Sequence, residues 1–195
     1  MVEKKSLKKY GEKRDLKKSS EPKAKVGAKK KQIFVIQKHD ASHLHYDFRI
    51  SIDGVLKSWA VPKGPSTDTK VKRLAIQTED HPMDYAKFEG VIPEGHYGAG
   101  TVMVWDLGTY KNLKDTDMAI CFKKGHITIF LIGKKLNGGY ALTRFRGEGK
   151  QWLLVKMDDE FADARRNPVS SQTTSALTGR TLKEISKEEN PKTLG

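Results

Sequence analysis

The residues from His39 to Arg49, His-Asp-Ala-Ser-His-Leu-His-Tyr-Asp-Phe-Arg, constrain the fold more than any other stretch, because they alternate in polarity. Leu44, Tyr46 and Phe48 are apolar, whereas His43, His45, Asp47 and Arg49 are polar. Side chains of a strand point to opposite faces with a period of two. The segment therefore predicts a strand whose apolar set enters a core. Its other face then carries imidazole, carboxylate and guanidinium groups in register. Such a row is costly to bury unpaired, so it asks for a metal, an anionic ligand, or both.

The rest of the chain reads as further short strands. Gln32 to Gln37 is a β-rich run ahead of the alternating stretch, and Asp53-Gly54 is a hairpin signal leading into a return strand, Val55 to Val61. Pro62-Lys63-Gly64-Pro65 breaks pairing. Strand-like runs recur at Arg73–Thr78, Thr101–Asp106 (with Leu107-Gly108 as a turn), Ala119–Phe122, His126–Ile132, Tyr140–Phe145 and Trp152–Met157. The later separators include Gly147-Glu-Gly149. About nine short strands at hairpin spacing predict a mainly β, antiparallel barrel or sandwich. Helices are minor: Asp158 to Arg165, and Thr181 to Lys187 behind a Thr181/Glu184 capping box.

Charge divides the chain. Residues 1–31 hold 13 Lys and Arg against 4 Asp and Glu, a net +9 of the total +13. They lack an apolar pattern and read as a flexible basic arm, suited to a polyanion or simply to solvation. Residues 32–166 form the folded body, and 167–195 a Ser/Thr-rich tail with a short helix. No apolar run is long enough to span a membrane, and the Lys-rich N-terminus has no signal-type apolar region. A single cysteine, Cys121, excludes a disulfide framework and reads as a small core residue. A cytoplasmic monomer is the default expectation.

The chemistry-bearing residues sit in the opening stretch. His45 and Asp47 share a strand face about 7 Å apart, and His39, just before the strand, is expected to fold over from a loop. Two imidazoles and a carboxylate suit Mn, Zn or Fe. Arg49 lies one step further, and its planar guanidinium binds phosphate oxygens bidentately. A metal beside an arginine suits phosphoryl chemistry. By spacing alone His81 reads as a surface histidine and Tyr85 as a core aromatic. Gly95-His-Tyr-Gly-Ala-Gly100 lacks the dinucleotide-binding order and reads as a tight turn into Thr101. His43-x-His45 matches the start of the cupin dioxygenase motif, but Arg49 and Ile50 stand where its Glu belongs.

Phe34-Val-Ile-Gln-Lys-His39 with Leu44-His-Tyr-Asp-Phe-Arg49 resembles the 3′-phosphoesterase domain of bacterial DNA ligase D. The resemblance continues through Trp59-Ala-Val-Pro-Lys-Gly-Pro65, Glu79-Asp-His-Pro82, Tyr85, Gly90-Val-Ile-Pro-Glu-Gly95, Tyr97-Gly-Ala-Gly100, Val104-Trp-Asp106 and Trp152-Leu-Leu-Val-Lys156. It covers nearly the whole chain. With no polymerase or ligase module attached, the chain reads as a stand-alone member.

The resemblance implies a small antiparallel β-barrel of about eight or nine strands with minor flanking helices. It implies removal of a 3′-terminal ribonucleoside from a primer strand, then of the remaining 3′-phosphate. The reaction would need a divalent metal, with Mn preferred and Zn or Co as alternatives. His39, His45 and Asp47 would bind the metal; Arg49, His81 and Tyr85 would engage the scissile phosphate. Lys63 and Arg73 resemble auxiliary basic residues of the phosphomonoester step. Tyr10-x-x-Lys-Arg14-Asp15 and Glu21-Pro22 match a further motif. It implies that part of the arm folds over the site, with Arg14, Asp15 and Glu21 serving ribonucleoside removal. Nucleic acid would be the substrate, with a separate ligase or polymerase as partner. The competing class is a non-catalytic basic nucleic-acid-binding barrel, which would need no metal.

Overall fold

Asp53 and Gly54 take φ angles of 52° and 78°, the left-handed pair that a two-residue hairpin between right-twisted strands requires. They join β2 (Leu44–Ile52) to β3 (Val55–Val61), paired from Tyr46–Val61 to Ile52–Val55. In this computed structural model, which describes residues 6–16, 18–28, 31–145 and 149–189, that hairpin is one wall of a closed antiparallel barrel. The other strands are β1 (Ile33–Asp40), β4 (Lys72–Gln77), β5 (His81–Pro82), β6 (Gly90–Ile92), β7 (Gly100–Asn112), β8 (His126–Gly133), β9 (Asn137–Arg144) and β10 (Gln151–Lys156). The ring runs β1-β2-β3-β4-β10-β9-β8-β7 and closes by β7 on β1. The short strands β5 and β6 attach to β3 and β7.

Alternation sorts the side chains into two cores. Phe34, Ile36, Tyr46, Phe48, Ile50, Trp59, Met103, Trp105, Ile129, Tyr140 and Trp152 fill the barrel interior. Trp59 meets Trp152 edge-on, with ring centroids 5.3 Å apart. A second cluster lies against the outward face of β1, β3 and β7. It joins Val35, Val55, Leu56 and Val104 to Leu7, Tyr10, Tyr85 and Phe88. Tyr10 comes from α1 (Lys8–Glu12), and Tyr85 from a 3-10 turn, Met83–Lys87. Both faces of β2 are therefore covered, so Asp47, Arg49 and Ser51 are buried as well as Phe48. Leu44, expected in the core, is 47% exposed at the start of β2.

Other expectations change for local physical reasons. Ala119–Phe122 lies in helix α2 (Met118–Lys124), capped by the Asp117 carboxylate at the Ala119 N–H and by Gly125 at φ 76°. A four-residue apolar run does not distinguish strand from helix. Cys121 is buried against the barrel core, as expected. Leu107-Gly108 is no turn, because β7 continues through it. Gly108 is small because a Cβ there would lie 2.0 Å from the Ile132 carbonyl oxygen on β8. Asp158–Arg165 forms turns rather than a helix: Asp159 accepts the Phe161 N–H and Asp163 the Arg165 N–H. Two short helices follow, α3 (Pro168–Ser171) and α4 (Leu182–Glu188); α4 carries the full Thr181/Glu184 capping box. Lys29 and Lys30 of the basic linker, and Gly147 and Glu148, lie outside the described residues. No described helix is long and apolar enough to cross a membrane.

Asp106, fully buried, anchors β7 to the connection between β8 and β9. One carboxylate oxygen accepts the Leu107, Lys134 and Lys135 N–H groups at 3.0 Å, and the other accepts Leu136 N–H at 2.9 Å. Replacing Asp106 by Ala leaves these donors without acceptors. The expected loss is about 2–3 kcal/mol of unfolding free energy, read from urea denaturation; a change below about 0.5 kcal/mol would contradict the anchoring role.

Candidate active site

His39 occupies the penultimate position of β1, not a loop, and is the direct cross-strand partner of His45 on β2. Their rings lie 4.8 Å apart. Each ring is oriented by a backbone carbonyl. His39 Nε2 lies 2.9 Å from the Gly98 oxygen, and His45 Nδ1 lies 2.9 Å from the His43 oxygen. A carbonyl only accepts, so those nitrogens carry the protons and the opposite nitrogens present lone pairs. These are His39 Nδ1, 3.6 Å from one Asp47 oxygen, and His45 Nε2, 3.7 Å from the other. The three donor groups lie within 4.8 Å of one another. Two imidazoles and a carboxylate gathered this closely suit a divalent metal, so this group can hold one. His43, exposed ahead of β2, contributes only its carbonyl.

Arg49 extends the same face inward. Its Nε donates to Gln37 at 2.7 Å, Nη2 donates to Asp47 at 3.0 Å, and Nη1 lies 3.0 Å from His81 Nδ1. Gln37 is held in turn by donating to the Tyr85 and Phe88 carbonyls. Burial opposes a charge on Asp47, but the Arg49 guanidinium beside it outweighs burial. The carboxyl is held well below its ordinary range.

His81, expected on the surface, is buried on β5. Its Nδ1 lies 2.9 Å from the Glu79 carbonyl oxygen and 3.0 Å from Arg49 Nη1, and its Nε2 lies 3.1 Å from Arg14 Nη2. Burial, with the Arg49 and Arg14 guanidiniums, pushes its pKa well below the usual histidine value. His81 is therefore a neutral imidazole between two cations. Tyr85, buried as expected, donates its hydroxyl to Glu21 at 3.0 Å. Burial and Glu21 push its pKa well up.

The basic arm supplies part of this wall. Arg14, its side chain only 5% exposed, binds Glu21 through Nε at 2.8 Å and Glu79 through Nη1 at 3.0 Å. The Tyr10 ring packs 5.2 Å from His81. Composition alone suggested a flexible segment, yet these described residues are packed. Arg14, His39, His45, Asp47, Arg49, His81 and Tyr85 line one cavity of about 300 Å³. Glu21 stands behind it, while Asp15 is exposed outside. Lys63 is exposed, and Arg73 on β4 has a buried Nε without a hydrogen-bond partner among the described residues. Neither lines the cavity. Sequence reasoning gave no role to Gln37 or Glu79, which fix Arg49 and Arg14. Both stand inside the quoted motifs, which was the available signal.

A sequence profile of the DNA ligase D 3′-phosphoesterase domain matches residues 37–144. The chain belongs to that family. It is 48% identical over 189 residues to the multifunctional non-homologous end joining protein LigD of Pseudomonas aeruginosa, covering 93% of this chain and 22% of that protein. It is 46% identical over 156 residues to the multifunctional non-homologous end joining DNA repair protein LigD of Mycobacterium tuberculosis, covering 79% of this chain and 20% of that protein. It therefore spans about a fifth of the length of these relatives. The matched span includes all six cavity residues to which the resemblance gives a metal or phosphate role: His39, His45, Asp47, Arg49, His81 and Tyr85.

Proposed function

We propose that this chain is a divalent-metal-dependent phosphoesterase acting on 3′ ends of nucleic acid. It removes a 3′-terminal ribonucleoside and then the remaining 3′-phosphate, leaving a 3′-hydroxyl. The observation that carries this reading is the convergence of three metal-type donors and two guanidiniums in one cavity. Family membership supports it. The names of the relatives support a place in non-homologous end joining, and a separate ligase or polymerase would be its partner there.

A divalent ion, with Mn preferred, held by His39, His45 and Asp47 would supply Lewis-acid activation of the phosphoester. Arg49 keeps a fixed plane through Gln37 and Asp47 and retains further N–H donors for phosphate oxygens. Arg14 brings a second guanidinium, and His81, touching both, sets their spacing. Charge gained by the phosphate in the transition state is thereby met by donors already in place. Glu21, shared by Arg14 and Tyr85, ties the arm to the site, which links residues 1–31 to ribonucleoside removal. Asp15 assists from the arm, and Lys63 and Arg73 act as auxiliary cations from outside the cavity. In this state the Tyr85 hydroxyl, committed to Glu21, has no free proton aimed at a leaving group.

The test is a 5′-labelled primer–template ending in a 3′-ribonucleotide or a 3′-phosphate, incubated with Mn and resolved by gel mobility. The expected course is a 3′-phosphate product that is then converted to a 3′-hydroxyl. If folded, Mn-loaded protein changes neither end, the reading is wrong.

A further inference from the structure

The geometry points to a binding groove for the body of the processed strand, running from the cavity across the outer surface of β4. A second cavity of about 510 Å³ shares Thr78, Glu79 and Tyr97 with the first. Its walls carry Lys9 and Lys13 from the arm, Arg144 from the end of β9, and Lys150 just before β10. Among the described residues, four cations thus face one carboxylate, Glu79, which is already paired with Arg14 and Lys13. A surface of that sign fits a phosphodiester backbone.

The groove also has a platform for bases. Tyr97 is 48% exposed at the junction of the two cavities, and Ile76, 38% exposed, adds an apolar floor. Lys13 steadies the tyrosine, lying 3.1 Å from its hydroxyl and 4.2 Å from the ring centre. Cationic walls with an exposed aromatic ring are the combination that binds single strands without sequence preference. Thr78, whose Oγ1 is buried without a hydrogen-bond partner among the described residues, sits where the two cavities meet. The inference rests on the phosphoesterase reading only for its direction: the 3′ end enters the metal cavity and the upstream nucleotides lie over Tyr97.

The test uses the full chain and a fluorescein-labelled single strand of about 12 nucleotides, with binding read by anisotropy in EDTA across a salt series. The double charge reversal Lys9→Glu/Lys150→Glu is expected to weaken binding at least about tenfold and to flatten the log–log salt slope by about 1.4. A control, Lys114→Glu/Lys183→Glu, removes the same charge elsewhere and is expected to leave affinity within about twofold. Tyr97→Ala is expected to weaken binding about tenfold and Tyr97→Phe to retain it. Circular dichroism checks that each variant folds. Equal loss in the control pair, or no loss in the groove pair, overturns the groove. So does a loss confined to a primer–template, since the groove would then hold the complementary strand. Because binding is read without metal, the two readings fail separately. Wild-type protein that binds through the groove but leaves a 3′-phosphate intact with Mn sinks the phosphoesterase alone.

Discussion

Replacing Asp47 by Asn is expected to lower turnover of both 3′-ribonucleotide and 3′-phosphate ends by at least about 10³-fold and to weaken Mn binding in calorimetric titration below detection. Asp47 is the only carboxylate of the group that can hold a metal, and each of its oxygens faces a histidine lone pair. The Asn amide keeps one oxygen to accept from Arg49 but removes the charge that offsets a dication. Asp47→Ala is a harsher change, because it leaves Arg49 buried without its anionic partner. That variant is expected to lose about 3–5 kcal/mol of stability as well as activity, whereas Asp47→Asn should lose about 1–2 kcal/mol. Comparing the two separates metal loss from unfolding. Retention of Mn affinity and activity in Asp47→Asn would take this residue out of the metal site.

The extent to which this site was legible follows from the range of the signals involved. Alternation in Leu44 to Arg49 is local, and it placed His45, Asp47 and Arg49 on one face, as the structure has them. The Asp53-Gly54 hairpin and the Thr181 capping box are local too, and both hold. His39 was placed in a loop because nothing within the segment says that β1 runs on to Asp40 and sets His39 opposite His45. Pairing across strands is not a periodicity. The same limit hid the burial of His81, since its cover comes from Tyr10 and Arg14, about seventy residues earlier in the chain. Net charge also misled, because Arg14 counts as one more cation of a basic arm while its side chain is buried between Glu21 and Glu79. The motif resemblance supplied these distant residues, but not the hydrogen bonds that set their states. Those bonds orient the His39 and His45 rings through backbone carbonyls and commit the Tyr85 hydroxyl to Glu21.

Arg49→Ala is expected to separate metal binding from hydrolysis. The guanidinium touches Asp47 at 3.0 Å and so competes with a cation for the same carboxylate. Removing it leaves a buried anion with no cation of its own, which costs about 3–5 kcal/mol in metal-free protein. A bound Mn ion supplies the missing charge, so Mn should raise the melting temperature more in Arg49→Ala than in wild type, by linkage. Mn affinity is expected to hold or tighten while turnover falls about 10²–10³-fold, the usual loss when a preorganised donor to the transition-state charge is removed. Arg49→Lys sharpens the point. Lysine restores a charge near Asp47 but cannot hold Gln37, Asp47 and a phosphate oxygen together, because a single ammonium lacks the planar fork. It should recover most of the metal-free stability and little of the turnover. Loss of Mn binding in Arg49→Ala would mean that Arg49 acts by positioning Asp47 as a ligand, and its direct role toward phosphate would then be withdrawn.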